Sequence, residues 1–251
     1  MRHSFRRLAL LFAALVVQGA AAEEILIAAA SNFAAPMTEL VQRFEQDTGH
    51  EVELAFGSSG RFYAQISNGA PFQVFFSADQ DKPAQLEADG LAVPGTRFTY
   101  ALGSLVLWTA DSARAVVGPE SLTSVDYRRL ALANPRLAPY GQAAVQVLEA
   151  LDLDTATRAK WVQGENIAQT FQFVSTGNAE LGFVAMSQVA EDGRISSGSG
   201  WIVPQDLHSP IRQDVVLLQN AAGCRACRDF LAFARGAQAR AIITSYGYRL
   251  E

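Results

Sequence analysis

Short apolar runs and amphipathic helical patterns alternate along almost the whole 251-residue chain, and this alternation limits the fold more than any other feature. "EILIAAA" reads as a buried strand. "SNFAAPMTELVQRFEQDTG" follows as a helix, with Phe33, Met37, Leu40, Val41 and Phe44 at helical spacing and Gly49 where a C-cap glycine belongs. "EVELAF" is a strand, "RFYAQISNG" a short helix closed by Gly69, "FQVFFSA" a strand, and "DQDKPAQLEADG" a helix with Asp79 as N-cap. Strands and helices in such succession predict parallel sheets covered by helices.

"ALGSLVLWTA" is strand-like with no helix directly before it, so the chain is expected to cross there into a second lobe. The alternation then resumes with "RLALAN", "YGQAAVQVLEAL", "NIAQTFQFVSTGN" and "AELGFVAM". "IRQDVVLLQ" reads as an alternating strand, and helices from about Cys224 to Ala234 and Ala237 to Tyr246 return to the first lobe. The fold class is therefore α/β, with two Rossmann-like lobes joined by a hinge of two crossings. Residues 23–102 and 212–251 form lobe 1, residues 103–211 form lobe 2, and a cleft lies between them.

The chain begins with Arg2, Arg6 and Arg7, an apolar run from Leu8 to Val17, and small residues ending in Ala20-Ala21-Ala22. This is the pattern of a secretory signal, residues 1–22, whose apolar part is too short for a membrane anchor. Removing it takes three arginines from the 20 basic residues and leaves 17 against 25 acidic, a formal charge of −8. That balance argues against nucleic acid or anionic membrane surfaces as partners. The two cysteines, Cys224 and Cys227 in "GCRACRDF", suit a structural disulfide or inert thiols capping the next helix; two ligands with no nearby histidine do not make a zinc site.

In open α/β sheets ligands bind beyond the carboxyl ends of strands, where helices start and free N–H groups point outward. Four junctions there are rich in small or neutral polar residues: "AAASNF" at Ser31, "FGSSGR" at Ser59, "ANPRLAPYGQ" at Tyr140 and "GENIAQ" at Ile167. Each offers amide donors at the positive end of a helix dipole. Taken singly, each also fits an ordinary N-cap. Divided between two lobes and facing one cleft, the set describes an anion cradle.

"AAASNFAAPMTEL", "FGSSGRFYAQISNGAPFQVFFSAD", "ANPRLAPYGQAA" and "AELGFVA", in this order and spacing, resemble the periplasmic molybdate-binding proteins of molybdate ABC importers. The resemblance spans nearly all of the chain after the signal. It implies a periplasmic-binding-protein-like fold of type II, capture of molybdate or tungstate as the oxyanion, delivery to a membrane permease, a monomer, and no cofactor. Ser31 and Ser59 match the family's first-lobe serines, with Ser58 as the alternative registration. The proline-loop position falls on Ala138 to Tyr140, and the helix start after Asn166 falls on Ile167, acting through its N–H. One branch of the family places a tyrosine where this chain has Ala185; another places one in the proline loop, where Tyr140 stands. The resemblance therefore implies the Tyr140 hydroxyl as replacement and the Asn32 N–H as an added donor.

Neutral donors suffice for a dianion, because hydrogen bonds to a charged acceptor are worth roughly 1.5–3 kcal/mol each. Arg61 and Arg136 are the basic residues near these loops, and neither belongs to the family motifs. A donor-only shell disfavours protonated phosphate, and a rigid one disfavours smaller sulfate. A two-lobed receptor for sulfate or phosphate is the alternative reading. Catalysis is not expected: His3 lies in the signal, His50 and His208 lie in connecting segments, no G-x-S-x-G elbow is present, and Ser58 and Ser59 have no base partner in sequence. Phe56, Phe62, Phe72, Phe75 and Phe76 read as core packing.

Overall fold

The computed structural model describes residues 22–251 apart from 125 and 192, so residues 1–21 of the amino-terminal signal lie outside the described residues. In chain order the strands are β1 Glu24–Ala30, β2 Glu51–Gly57, β3 Val74–Phe76, β4 Phe98–Gly103, β5 Leu105–Thr109, β6 Leu130–Ala133, β7 Trp161–Gly164, β8 Leu181–Ala185, β9 Ala190–Glu191, β10 Arg194–Ile195, β11 Ser199–Ile202 and β12 Ile211–Leu217. The α-helices are α1 Ala34–Thr48, α2 Ser59–Ser67, α3 Asp81–Ala88, α4 Ser121–Ser124, α5 Pro139–Ala150, α6 Asp154–Thr157, α7 Ile167–Ser175, α8 Arg225–Arg235 and α9 Ala237–Ser245.

Two five-stranded sheets form the cores of two lobes, in the orders β2-β1-β3-β12-β4 and β11-β5-β8-β6-β7. β1 is parallel to β2 and β3, and β6 is parallel to β7 and β8. β12 runs antiparallel to β3 and β4, however, and β5 antiparallel to β8 and β11. The sheets are thus mixed rather than parallel throughout. Parallel pairing needs a crossover, usually a helix, between the strands. β5 and β12 instead enter their sheets straight from the other lobe and run against their neighbours. The "ALGSLVLWTA" run is two strands in two sheets, separated by Ser104 alone. That residue is one crossing; the segment from β11 to β12 is the other.

The periodic helix faces are buried as their spacing requires. Phe33, Met37, Leu40, Val41 and Phe44 pack with β1, β3 and α8 side chains in the lobe 1 core. Fully burying each such side chain is worth roughly 1.5–3 kcal/mol as an upper figure. α1 ends at Gly49, whose φ of 74° is the left-handed conformation that a C-cap glycine adopts readily. In lobe 2, Leu105, Leu107, Leu130, Leu132, Tyr140, Leu148 and Phe183 share a second core. Phe56 departs from expectation: it is 41% exposed on β2, an edge strand, although Phe62, Phe75 and Phe76 are buried.

Cys224 and Cys227 are joined by a disulfide. Cys224 is the N-cap of α8, its sulfur accepting the Cys227 N–H at 3.0 Å. Asp79 does not cap α3 at the N-cap position, which Gln80 occupies, but its carboxylate accepts the Lys82 N–H at 3.1 Å.

Candidate functional site

Each of the four junctions has its strand end or loop turned directly into a helix start. β1 passes into a 3-10 turn, Ser31–Phe33, and then into α1. β2 ends at Gly57, with Ser58 as N-cap of α2 and Ser59 as its first residue. Across the cleft, Ala138 caps α5 with Pro139 and Tyr140 following, and Asn166 caps α7 ahead of Ile167. Pro139 suits the first helical position because its missing N–H would have no partner there. N–H groups in the first turn of a helix have no intrahelical acceptor and can serve a ligand unless another group takes them, as the Leu137 carbonyl takes the Gly60 N–H of α2 at 2.8 Å.

These junctions meet around one small cavity. Its lining comprises Ala30, Ser31, Asn32, Gly57, Ser58, Ser59 and Ala78 from lobe 1, and Ala138, Pro139, Tyr140, Asn166 and Ile167 from lobe 2. All six residues singled out in the sequence, Ser31, Asn32, Ser58, Ser59, Tyr140 and Ile167, therefore come together. None of the lining residues is charged. Arg61 instead pairs with Glu165 at 3.2 Å at the exposed lip, and Arg136 is exposed. Another inter-lobe groove, between α3 and α5, shares Ala78 and Pro139 with the cavity but carries Asp79, Asp81 and Arg212.

The two neighbouring serines differ. Ser59 Oγ accepts the Ala78 N–H at 2.9 Å, which leaves its own proton to donate. Ser58 Oγ is buried and has no hydrogen-bond partner among the described residues. An unpaired buried hydroxyl costs on the order of 1–3 kcal/mol, so its retention in a cavity wall points to a ligand as partner. Asn166 is an ordinary N-cap as well, accepting the Gln169 N–H at 3.0 Å, and the Ile167 N–H has no acceptor among the described residues.

A model of the bacterial extracellular solute-binding proteins matches residues 25–249. A molybdate-binding protein of Azotobacter vinelandii is 49% identical over all of both chains, and one of Rhodobacter capsulatus is 47% identical over 92% of this chain and 90% of its own. The solved periplasmic molybdate-binding protein of Azotobacter vinelandii superposes with a TM-score of 0.86 at 39% identity, covering 90% of this chain and 99% of that one. The chain belongs to the bacterial extracellular solute-binding protein family.

For a solute-binding protein the groups behind the cavity matter as much as its lining, and several were not picked out from sequence. The Tyr140 hydroxyl, expected to face the ligand, lies against Gly103, where an added Cβ would sit 2.1 Å from it. There it accepts the Gln213 Nε2–H at 3.3 Å. Tyr140, the second residue of α5, also lines the cavity. Asn32 Nδ2 donates to Gln213 Oε1 at 2.7 Å and to the Tyr248 hydroxyl at 2.9 Å. The Asn32 carbonyl accepts Ser187 Oγ from lobe 2 at 2.7 Å and the Tyr248 hydroxyl at 2.8 Å. Burial pushes the Tyr100 and Tyr140 phenols well above their ordinary range, and Tyr248 up to about 12, so all three stay protonated donors at neutral pH. The signal in the sequence was slight: Gln213 stands among "IRQDVVLL", and Tyr248 lies near the carboxyl end.

Proposed function

We propose that this solute-binding protein captures molybdate, and tungstate with it, in the periplasm and delivers the oxyanion to the membrane permease of an ABC importer. The observation that carries the proposal is the cavity lined by helix-start residues of both lobes, with serine hydroxyls from lobe 1 and no charged side chain in its wall. The similarity to two curated molybdate-binding proteins at 47–49% identity supports it.

In this reading Ser31, Asn32, Ser58 and Ser59 bind from lobe 1, and Tyr140 and Ile167 from lobe 2. Molybdenum is held only as its oxyanion, so the protein needs no cofactor. Ser59 donates its hydroxyl while Ala78 holds its oxygen, and Ser58 gains in the ligand the acceptor that the protein does not supply. Tyr140, Ile167 and Asn32 contribute amides at helix starts, where the dipole favours an anion. Residues 23–102 with 212–251 close against 103–211 once the signal, 1–22, has been cleaved, and a monomer is sufficient. In this reading the role is capture rather than catalysis, in keeping with the solute-binding protein family.

The test is calorimetric titration of the exported protein with molybdate, tungstate, sulfate and phosphate. Molybdate and tungstate are expected to bind at least a hundredfold more tightly than the other two. Sulfate or phosphate binding as tightly as molybdate overturns the assignment in favour of a more general oxyanion receptor.

A further inference from the structure

Gln213 is wholly buried in β12, between Arg212 and the buried Asp214, at a position where an unsatisfied amide would be costly. We propose that Gln213 is a positioning residue that holds the ligand-facing groups of both lobes in register. The proposal rests on the oxyanion reading above and concerns a side chain that does not line the cavity. Its Oε1 accepts Asn32 Nδ2 at 2.7 Å and the Tyr100 hydroxyl at 3.0 Å, and its Nε2 donates to the Tyr140 hydroxyl at 3.3 Å. Asn32 and Tyr140 are walls of the cavity on opposite lobes. Tyr100 also reaches the Ser77 carbonyl at 3.0 Å, and the next residue, Ala78, supplies the N–H that orients Ser59. One amide therefore ties together three separate segments of the wall.

The backbone is shaped to make this possible. The β12–β4 register shifts between Gln213 and Asp214, with Gln213 opposite Ala101 and Asp214 opposite Thr99, so that Tyr100 is the extra residue of a bulge. Bulges re-aim side chains next to functional sites. Here the bulge lets Tyr100 and Gln213 meet, while Gln213 and Asp214 are both buried. A residue serving only the fold would not need partners on both sides of the cleft.

The groups facing Gln213 are the phenols of Tyr100, Tyr140 and Tyr248, which stay neutral between pH 6 and 9. The nearest carboxylates are paired: Asp214 with Arg97 at 2.8 Å, and Asp79 with Lys82. A carboxyl introduced at position 213 would therefore be the new titrating group in this window. Protonated, it can accept from Asn32 and donate to Tyr140 as the amide does. Ionised, it cannot donate, and it repels a dianion.

The experiment is molybdate titration by calorimetry at pH 6, 7.5 and 9 on wild type, Gln213→Glu and Tyr100→Phe, with thermal melts of the ligand-free proteins. Gln213→Glu is expected to bind within about threefold of wild type at pH 6 and at least thirtyfold more weakly at pH 9. Tyr100→Phe is expected to lose at least about threefold at every pH, and it decides the matter should the glutamate variant fail to fold. A folded Gln213→Glu protein whose ratio to wild type does not change with pH, or a Tyr100→Phe protein indistinguishable from wild type, overturns the positioning role alone. Wild-type protein giving no heat with molybdate overturns the oxyanion reading and this inference with it.

Discussion

Ser58 and Ser59 are adjacent in sequence, both buried, and oppositely placed in energy. Ser59 Oγ is already an acceptor for Ala78, so Ser59→Ala strands a buried N–H and is expected to lower ligand-free stability by about 1–3 kcal/mol. Ser58 Oγ has nothing to lose among the described residues, so Ser58→Ala is expected to leave the ligand-free melting temperature unchanged or slightly raised. Both should weaken molybdate affinity by roughly tenfold, the loss of one charge-assisted bond. Paired melts and titrations check this, and a Ser58→Ala protein that binds as wild type removes that hydroxyl from the site. The buried tyrosines set a different dependence. Tyr248 keeps its proton up to about 12 in the folded chain, chiefly because burial penalises the phenolate, whereas the unfolded chain ionises near 10. The folded state therefore binds more protons above pH 10, and stability falls as pH rises from there. Stability is complete below pH 10 and declines toward pH 12; two units for Tyr248 correspond to about 3 kcal/mol. Denaturant midpoints measured from pH 9 to 12 should show the decline, with a shallower slope in Tyr248→Phe.

Elements were legible from sequence where one physical signal acted alone. α1 combines a 3.6-residue apolar period with a C-cap glycine, and its carboxyl end holds in the structure, whereas Ser31–Phe33 form a 3-10 turn ahead of the α-helix that starts at Ala34. α2 begins at Ser59, two residues before the "RFYAQISNG" pattern, because Ser59 and Gly60 carry no apolar period and only the free amides of a helix start mark them. The junction sites were visible for the same reason: small polar residues between a strand and a helix are conspicuous even when their partners are unknown. Strand direction was not legible. β5 follows β4 after Ser104 alone, and nothing in "ALGSLVLWTA" reports that its halves belong to different sheets. The β4–β12 bulge was hidden too, since alternation along "IRQDVVLL" cannot show that Gln213 and Asp214 are both buried. The polar cluster behind the site depends on that bulge and on a tyrosine near the carboxyl end, so it becomes visible only when distant segments are brought together.

At the scale of the whole molecule, a bound anion can draw the lobes together only by interacting better with the closed arrangement than with the open one. The donors are divided between lobes, which supplies that difference, and the lips of the cleft show how little else does. The Arg61–Glu165 pair is 58% and 65% exposed at its side chains, and exposed pairs of this kind contribute only about 0.2–1 kcal/mol. Breaking it with Glu165→Gln should cost less than about fivefold in affinity. The backbone contact beside it is stricter. Gly60 donates its N–H to the Leu137 carbonyl at 2.8 Å across the cleft, and a Cβ at Gly60 would stand 3.0 Å from both the Leu137 Cα and its oxygen. Those are main-chain atoms held by the turn before α5, so they cannot swing aside as a side-chain tip would. Gly60→Val therefore acts as a wedge at the lip while leaving every proposed ligand donor in place. Its ligand-free melting temperature should remain near that of wild type, whereas molybdate affinity should fall at least about tenfold because closure no longer completes. Small-angle scattering with saturating molybdate distinguishes this from ordinary loss of contacts: wild type should contract on binding, and Gly60→Val should retain its ligand-free radius. Contraction of the variant to the wild-type value would show that the lobes close without the Gly60–Leu137 approach.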